Sequence, residues 1–221
     1  MKKQQTGFTL IELAIVLVII GLLLGGVLKG QELINSAKVK NLAADFRSVP
    51  VYIYGYQDKY RALPGDDPTA VNHLGTGTTQ ASTTTSNGKI DGAWDTTTDI
   101  AESCVFWEHV RKSGLAVGSF PVQCSVSTSA TIPRNAEGGR VGIQSITGSP
   151  AFTKITGMTG ATVVCSDAIQ GKLAKQLDIT LDDADTALGS VRVVLQSAAT
   201  GPGLATGDII DSNYYTVCQS F

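Results

Sequence analysis

The sequence predicts an α+β fold: a long N-terminal α-helix, apolar and exposed along its first half and amphipathic along its second, packed on a globular domain built on an antiparallel β-sheet. Three observations carry this. An apolar run from Phe8 to Leu28 comes directly after a short polar stretch, MKKQQTG. Beyond it Val39, Leu42, Phe46, Val49, Ile53, Tyr56 and Tyr60 recur at alternating steps of three and four, which puts them on one helical face. After residue 115 the chain breaks into short β-prone runs separated by Gly, Pro, Asp or Ser turns.

The apolar run is the most distinctive element and stands near the start of the chain. At about 1.5 Å per helical residue it covers the roughly 30 Å hydrocarbon layer of a bilayer. Lys2 and Lys3 precede it and should stay cytoplasmic, which puts the remainder of the chain outside. The run holds one charge, Glu12. A charge at the centre of a spanning helix costs roughly 2.5 to 3.5 kcal/mol on insertion scales, so this carboxylate calls for a partner. A cleaved secretory signal would be shorter and end in a small-residue site, whereas here the run continues into an amphipathic helix. A plain single-span anchor accounts for the length and the lysines and gives no reason for Glu12.

Gly7-Phe8-Thr9-Leu10-Ile11-Glu12-Leu13 resembles the processing and methylation motif of type IV prepilins and type II secretion pseudopilins. The resemblance implies a pilin-like fold, a prepilin peptidase that cuts after Gly7 and methylates the new N-terminus at Phe8, and an assembly role for Glu12. It divides the chain into a leader, 1–7, a long helix, 8–62, whose part 8–28 is both membrane span and filament core, and a globular domain, 63–221. The implied partners are further copies of the chain or of related subunits, the peptidase, an inner-membrane assembly platform, and the membrane itself before assembly. The precursor is then a single-pass inner-membrane protein, and the product an extracellular or periplasmic filament. The physics agrees: cleavage creates an α-amine, and a neighbouring subunit's carboxylate can neutralise it where either charge alone would be costly.

Further along, Gly21/Gly25 and Gly26/Gly30 make small-xxx-small faces suited to close helix packing. Pro50 interrupts the amphipathic stripe, and a bend near Phe46 is expected there in place of a stop. Leu63-Pro64-Gly65-Asp66-Asp67-Pro68 ends the helix near Arg61. YQDKYRALPGD is similar to the helix exit of many pilins and pseudopilins. Thr76 to Gly88 reads as an exposed flexible loop rich in hydroxyls, open to O-glycosylation. Ile100 to Gly114 has helical spacing, with Asp99 as N-cap and Gly114 as stop. SNGKIDG before it and FWEHVRKSGL within it resemble a weaker pattern of some minor pilin-like and pseudopilin-like proteins. Strands are expected at 142–147, 152–156, 162–165, 191–196 and 214–218, with a short helix at 167–177. LDITLDDADTALGSVRV then resembles a loop-and-strand pattern near the C-termini of some pilins.

Composition limits the functions open to this chain. Of 221 residues, Lys and Arg number 17 against 19 Asp and Glu, for a net charge of −2. No basic field exists to draw in nucleic acid, and losing Lys2 and Lys3 makes the balance more acidic, so no nucleic-acid partner is expected. The two histidines, His73 and His109, lie in no nucleophile motif, so no enzyme and no cofactor is expected. Asp91 and Asp95, and Asp182, Asp183 and Asp185, are weak calcium candidates, raised mainly because some pseudopilins bind calcium in C-terminal loops; no metal is assigned. The four cysteines form no CxxC and allow three disulfide pairings. Cys165–Cys218 and Cys104–Cys124 are the expected pair. The first would tie down a C-terminal strand, as pilins commonly do, and closing so long a loop is worth about 4 kcal/mol in the chain-entropy model. The leading function is a structural pilus subunit; the alternatives are a secretion pseudopilin and a minor pilin or tip adhesin with a receptor-binding domain.

Overall fold

The structure, a computed structural model, describes residues 10–80, 86–126 and 128–221. Helix α1 runs from Leu10 to Tyr60. After it come α2 (Ala70–Leu74), α3 (Glu102–Lys112), β1 (Val141–Ser145), β2 (Thr162–Gln170), α4 (Gly171–Leu181), β3 (Val191–Leu195), a 3₁₀ turn (Thr206–Asp208) and β4 (Tyr214–Ser220). This is the expected α+β architecture. The chain falls into two compact units, one ending at Lys38 and the other running from Val39 to Phe221.

In the first unit every described residue from Leu10 to Lys29 is exposed. Leu, Ile and Val dominate this stretch, and no proline breaks its hydrogen-bond ladder. At Gly21, Gly25, Gly26 and Gly30 a Cβ atom would meet nothing within 4 Å, so both small-residue faces are open.

The second unit has its own core. Val39, Leu42, Ala43, Phe46, Val49, Ile53 and Tyr56, all on α1, are buried. All but Tyr56 share one cluster with Cys104, Phe106 and Val110 of α3, Leu173 and Leu177 of α4, and Val164, Val193 and Val217 of the sheet. The helix passes through Pro50 and stops at Tyr60, where Arg61 takes a left-handed φ of 56°. Gly65 comes next at φ 91°, and a Cβ there would press on the Glu102 carbonyl, so the exit turn requires glycine.

The four strands are antiparallel in the order β1-β2-β4-β3. Side chains alternate across the sheet. Val164, Val217 and Val193 face the helices, while Val163, Cys165, Cys218 and Val194 pack with Trp94, Ile155 and Met158 on the other face. Cys165 lies directly opposite Cys218 and is bonded to it; a second disulfide joins Cys104 to Cys124.

Four local expectations are corrected. The run 152–156 is no strand: Ile155 is buried on the sheet's outer face and makes an isolated bridge to Gly201. β2 continues through Gln170 past a register shift between Ser166 and Ile169, so the helix expected at 167–177 starts at Gly171. Ala101, not Asp99, precedes α3; Asp99 instead accepts hydrogen bonds from the Ser125 backbone N–H at 2.7 Å and hydroxyl at 2.8 Å. Gly114 does come after the helix end, at φ 82°. Finally, the 76–88 loop is pinned at its start: Thr78 is buried, and the Thr79 N–H donates to Glu108.

Candidate filament-assembly segment

Gly7 and Phe8 lie outside the described residues, so the candidate site is built from the helix that begins at Leu10. Glu12 lies on α1, two residues into its described part. It is exposed, between Ile11 at 68% and Leu13 at 52%. The apolar helix then continues exposed until Lys29, whose ammonium bonds Glu32 at 2.7 Å. The described part of this segment therefore offers an acidic group at one end, a long apolar cylinder, two glycine faces and an ion-paired end. Such a surface cannot remain in water; it takes lipid or other helices as its solvent.

The other singled-out residues serve the fold of the second unit. His109 is fully buried: its Nδ1 accepts from the Gly65 N–H at 3.1 Å, and its Nε2 donates to the Thr79 carbonyl at 3.0 Å. Burial pushes its pKa down, so the ring is held neutral. His73 bonds Asp67 at 2.7 Å, and Asp67 also accepts from Tyr56 and Thr69. Burial acts to raise the Asp67 pKa, yet these bonds outweigh it and hold the carboxyl below its usual value. Both histidines fasten the segment after α1 to α1 and α3. This network has no signature in the sequence, because its members come from four separate stretches.

Asp91 accepts hydrogen bonds from Ser149 and Asn87, and Asp185 from Ala187. Among the described residues, the potential metal ligands that converge are Asp178, Asp182 and Asp183; Asp91, Asp95 and Asp185 do not join them. Sequence reading misses Asp178. A signal does exist, since Gly171, Ala174 and Asp178 align along the apolar stripe of α4, and an acid at a stripe position is out of place.

Comparison with known proteins turns on the same N-terminal segment. A model of the prokaryotic N-terminal methylation motif matches residues 2–28. The chain carries the prepilin signature. This is the mark of the type IV pilin and pseudopilin family, and it implies prepilin peptidase processing and self-assembly. The exposed apolar helix fits a membrane-anchored precursor, and the motif points to a structural role. No curated protein and no solved structure matches the chain at a significant level.

Proposed function

We propose that the chain is a structural subunit of a type IV pilus-like filament. The precursor waits in the inner membrane with residues beyond the span outside the cytoplasm. Prepilin peptidase cuts after Gly7 and methylates Phe8, and an assembly platform moves the subunit from lipid into a helix bundle. The observation that carries this reading is Glu12 as the one charged residue on a helix that is exposed and apolar from Leu10 to Leu28. Because the helix leaves lipid and not water, hydrophobic transfer adds little; close van der Waals packing, helped by the glycine faces, supplies the bulk of the association. The carboxylate supplies register: an incoming Glu12 settles where the Phe8 amine of a neighbour neutralises it, and a slip by one turn leaves both charges in an apolar bundle. Intact-mass measurement of sheared filaments tests the order of events. Subunits should begin at Phe8 and carry one extra methyl group; filaments built from chains that retain residues 1–7 would refute the reading.

A further inference from the structure

We propose that the second unit binds an acidic sugar, a single ring bearing a carboxylate, in a cavity of about 370 Å³ lined by α1, α3 and the 116–134 segment. The cavity lies wholly within that unit and does not depend on filament assembly. Its volume is at the lower end of those that hold small molecules, which suits one ring and not a long chain.

The helices set the lining. Asp45, Ser48 and Tyr52 recur at steps of three and four along α1, beside its buried stripe, and so reach the cavity from one face. Trp107 and Arg111, four apart on α3, do the same from the other side. Trp107, Ile132 and Val141 are buried and supply an apolar floor, while Val117, 96% exposed, stands at the rim. The outer wall is fastened before any ligand arrives. Cys124 is bonded to Cys104 on α3, and Arg111 Nη1 donates to the Ser119 carbonyl at 2.8 Å and the Thr131 carbonyl at 2.6 Å. A ligand therefore spends little of its binding energy on ordering the site.

Two opposite charges face this cavity without compensating each other. Asp45 is half-buried, and no donor among the described residues reaches its carboxylate; burial alone raises its pKa to about 6. Arg111 is half-buried as well. Its Nε is sealed without a partner, and among the described residues Nη2 makes no hydrogen bond. The two groups form no ion pair, and neither shifts the other's pKa, so they stand apart. A ligand that satisfies both must bring an anion to the guanidinium and hydrogen-bond donors to the carboxylate, on separate parts of its frame. An acidic sugar does so: its carboxylate meets Arg111 Nη2, its hydroxyls donate to Asp45, and its C–H face lies against Tyr52 and Trp107. Arg134 adds a second guanidinium to the lining, so positive charge exceeds negative and an acidic ring is preferred to a neutral one. An α-amino acid carries both its charges on one carbon and does not spread them across the cavity.

The test uses the full chain in detergent at pH 7.5, with sodium D-glucuronate, D-glucose and L-leucine as separate probes in titration calorimetry. Glucuronate should bind saturably, one per chain, and at least about tenfold more tightly than glucose, the difference that one charge-assisted hydrogen bond makes. Asp45→Ala, which removes the acceptor, and Ala130→Trp, which fills the cavity from its exposed side, should each weaken glucuronate binding by at least about tenfold. Ala130 is exposed, so its variant decides the matter even where Asp45→Ala does not fold. No glucuronate binding up to about 10 mM, an affinity too weak for a built site, would overturn the proposal. Equal affinity for glucose, tighter binding of leucine, or glucuronate binding that survives both substitutions would overturn it as well.

Discussion

One helix, α1, lives in two environments. From Leu10 to Lys29 its leucines, isoleucines and valines are exposed; from Val39 to Tyr56 the residues of the apolar stripe are buried to within a few per cent. The helix-forming rules are identical in the two halves, so backbone propensity cannot account for the difference. What differs is the partner. The second half finds α3, α4 and the sheet within its own chain, while the first must find its solvent outside it, in lipid or among other helices. A substitution in one half should therefore be read by folding of the chain, and in the other by association.

The largest expected effect belongs to the first half. Glu12→Val should leave membrane insertion intact, because the span becomes more apolar, and lower the yield of sheared filament by more than about tenfold, since a buried amine would lose its counter-charge. Its thermal unfolding in detergent should match wild type. Normal filament yield would break the comparison at its most distinctive residue.

A matched pair sharpens it next. Phe46→Ala empties a fully buried site and should cost about 3 to 5 kcal/mol in denaturant unfolding. Leu17→Ala, at a position 70% exposed on the same helix, should stay within about 0.5 kcal/mol of wild type in the same measurement. Equal losses would mean that the two halves are not distinct.

The disulfides belong to the second unit, the one on which the second half of α1 is packed. Cys165 and Cys218 lie 53 residues apart and Cys104 and Cys124 lie 20 apart, so the chain-entropy model makes the first bridge worth about 1 kcal/mol more than the second. Paired replacement by alanine, followed by chemical unfolding, should rank them in that order. Non-reducing peptide maps should contain the two linkages and no alkylated cysteine.

The smallest effect is electrostatic. His109 is kept neutral by burial, while in the unfolded chain it takes up a proton near pH 6.5. A group whose folded pKa is depressed contributes stability in full above its unfolded value and loses it as pH falls through that value toward the folded one. The margin of wild type over His109→Gln should thus be constant above about pH 7 and shrink below about 6.5. Asp45, raised to about 6 by burial, works in the opposite sense, which is why the difference between two variants is the quantity to follow.

The sequence made the first half of α1 nearly transparent and the second unit only partly so. Glu12 stands out because it is the one charge in an apolar run, and the stripe from Val39 to Tyr56 needs no tertiary information. Cys165 and Cys218 could be anticipated because each sits in a β-prone run. Phe152–Thr156 misled because β-prone composition marks a segment that wants burial, and Ile155 obtains it on the outer face of the sheet without pairing along an edge. Asp99 misled for a related reason. An Asp ahead of a helix is a local signal, yet the Cys104–Cys124 bridge holds the next residue, Ser125, where its two donors win that carboxylate. Asp178 is a different case: its signal is local, an acid on the apolar stripe of α4 shortly before Asp182 and Asp183, and it goes unread because stripe periodicity is searched for apolar residues.

The strand order β1-β2-β4-β3 has a consequence for the timing of folding. β4 lies inside the sheet, between β2 and β3, yet it is later in the chain than every other strand described. As a chain emerges from ribosome or membrane, β1 and β2 can pair and β3 can form, but the gap between β2 and β3 stays open until residues 214–220 arrive. The sheet is then completed by insertion of its last strand, in one late step, and until that moment the facing edges of β2 and β3 have no β4 backbone to pair with.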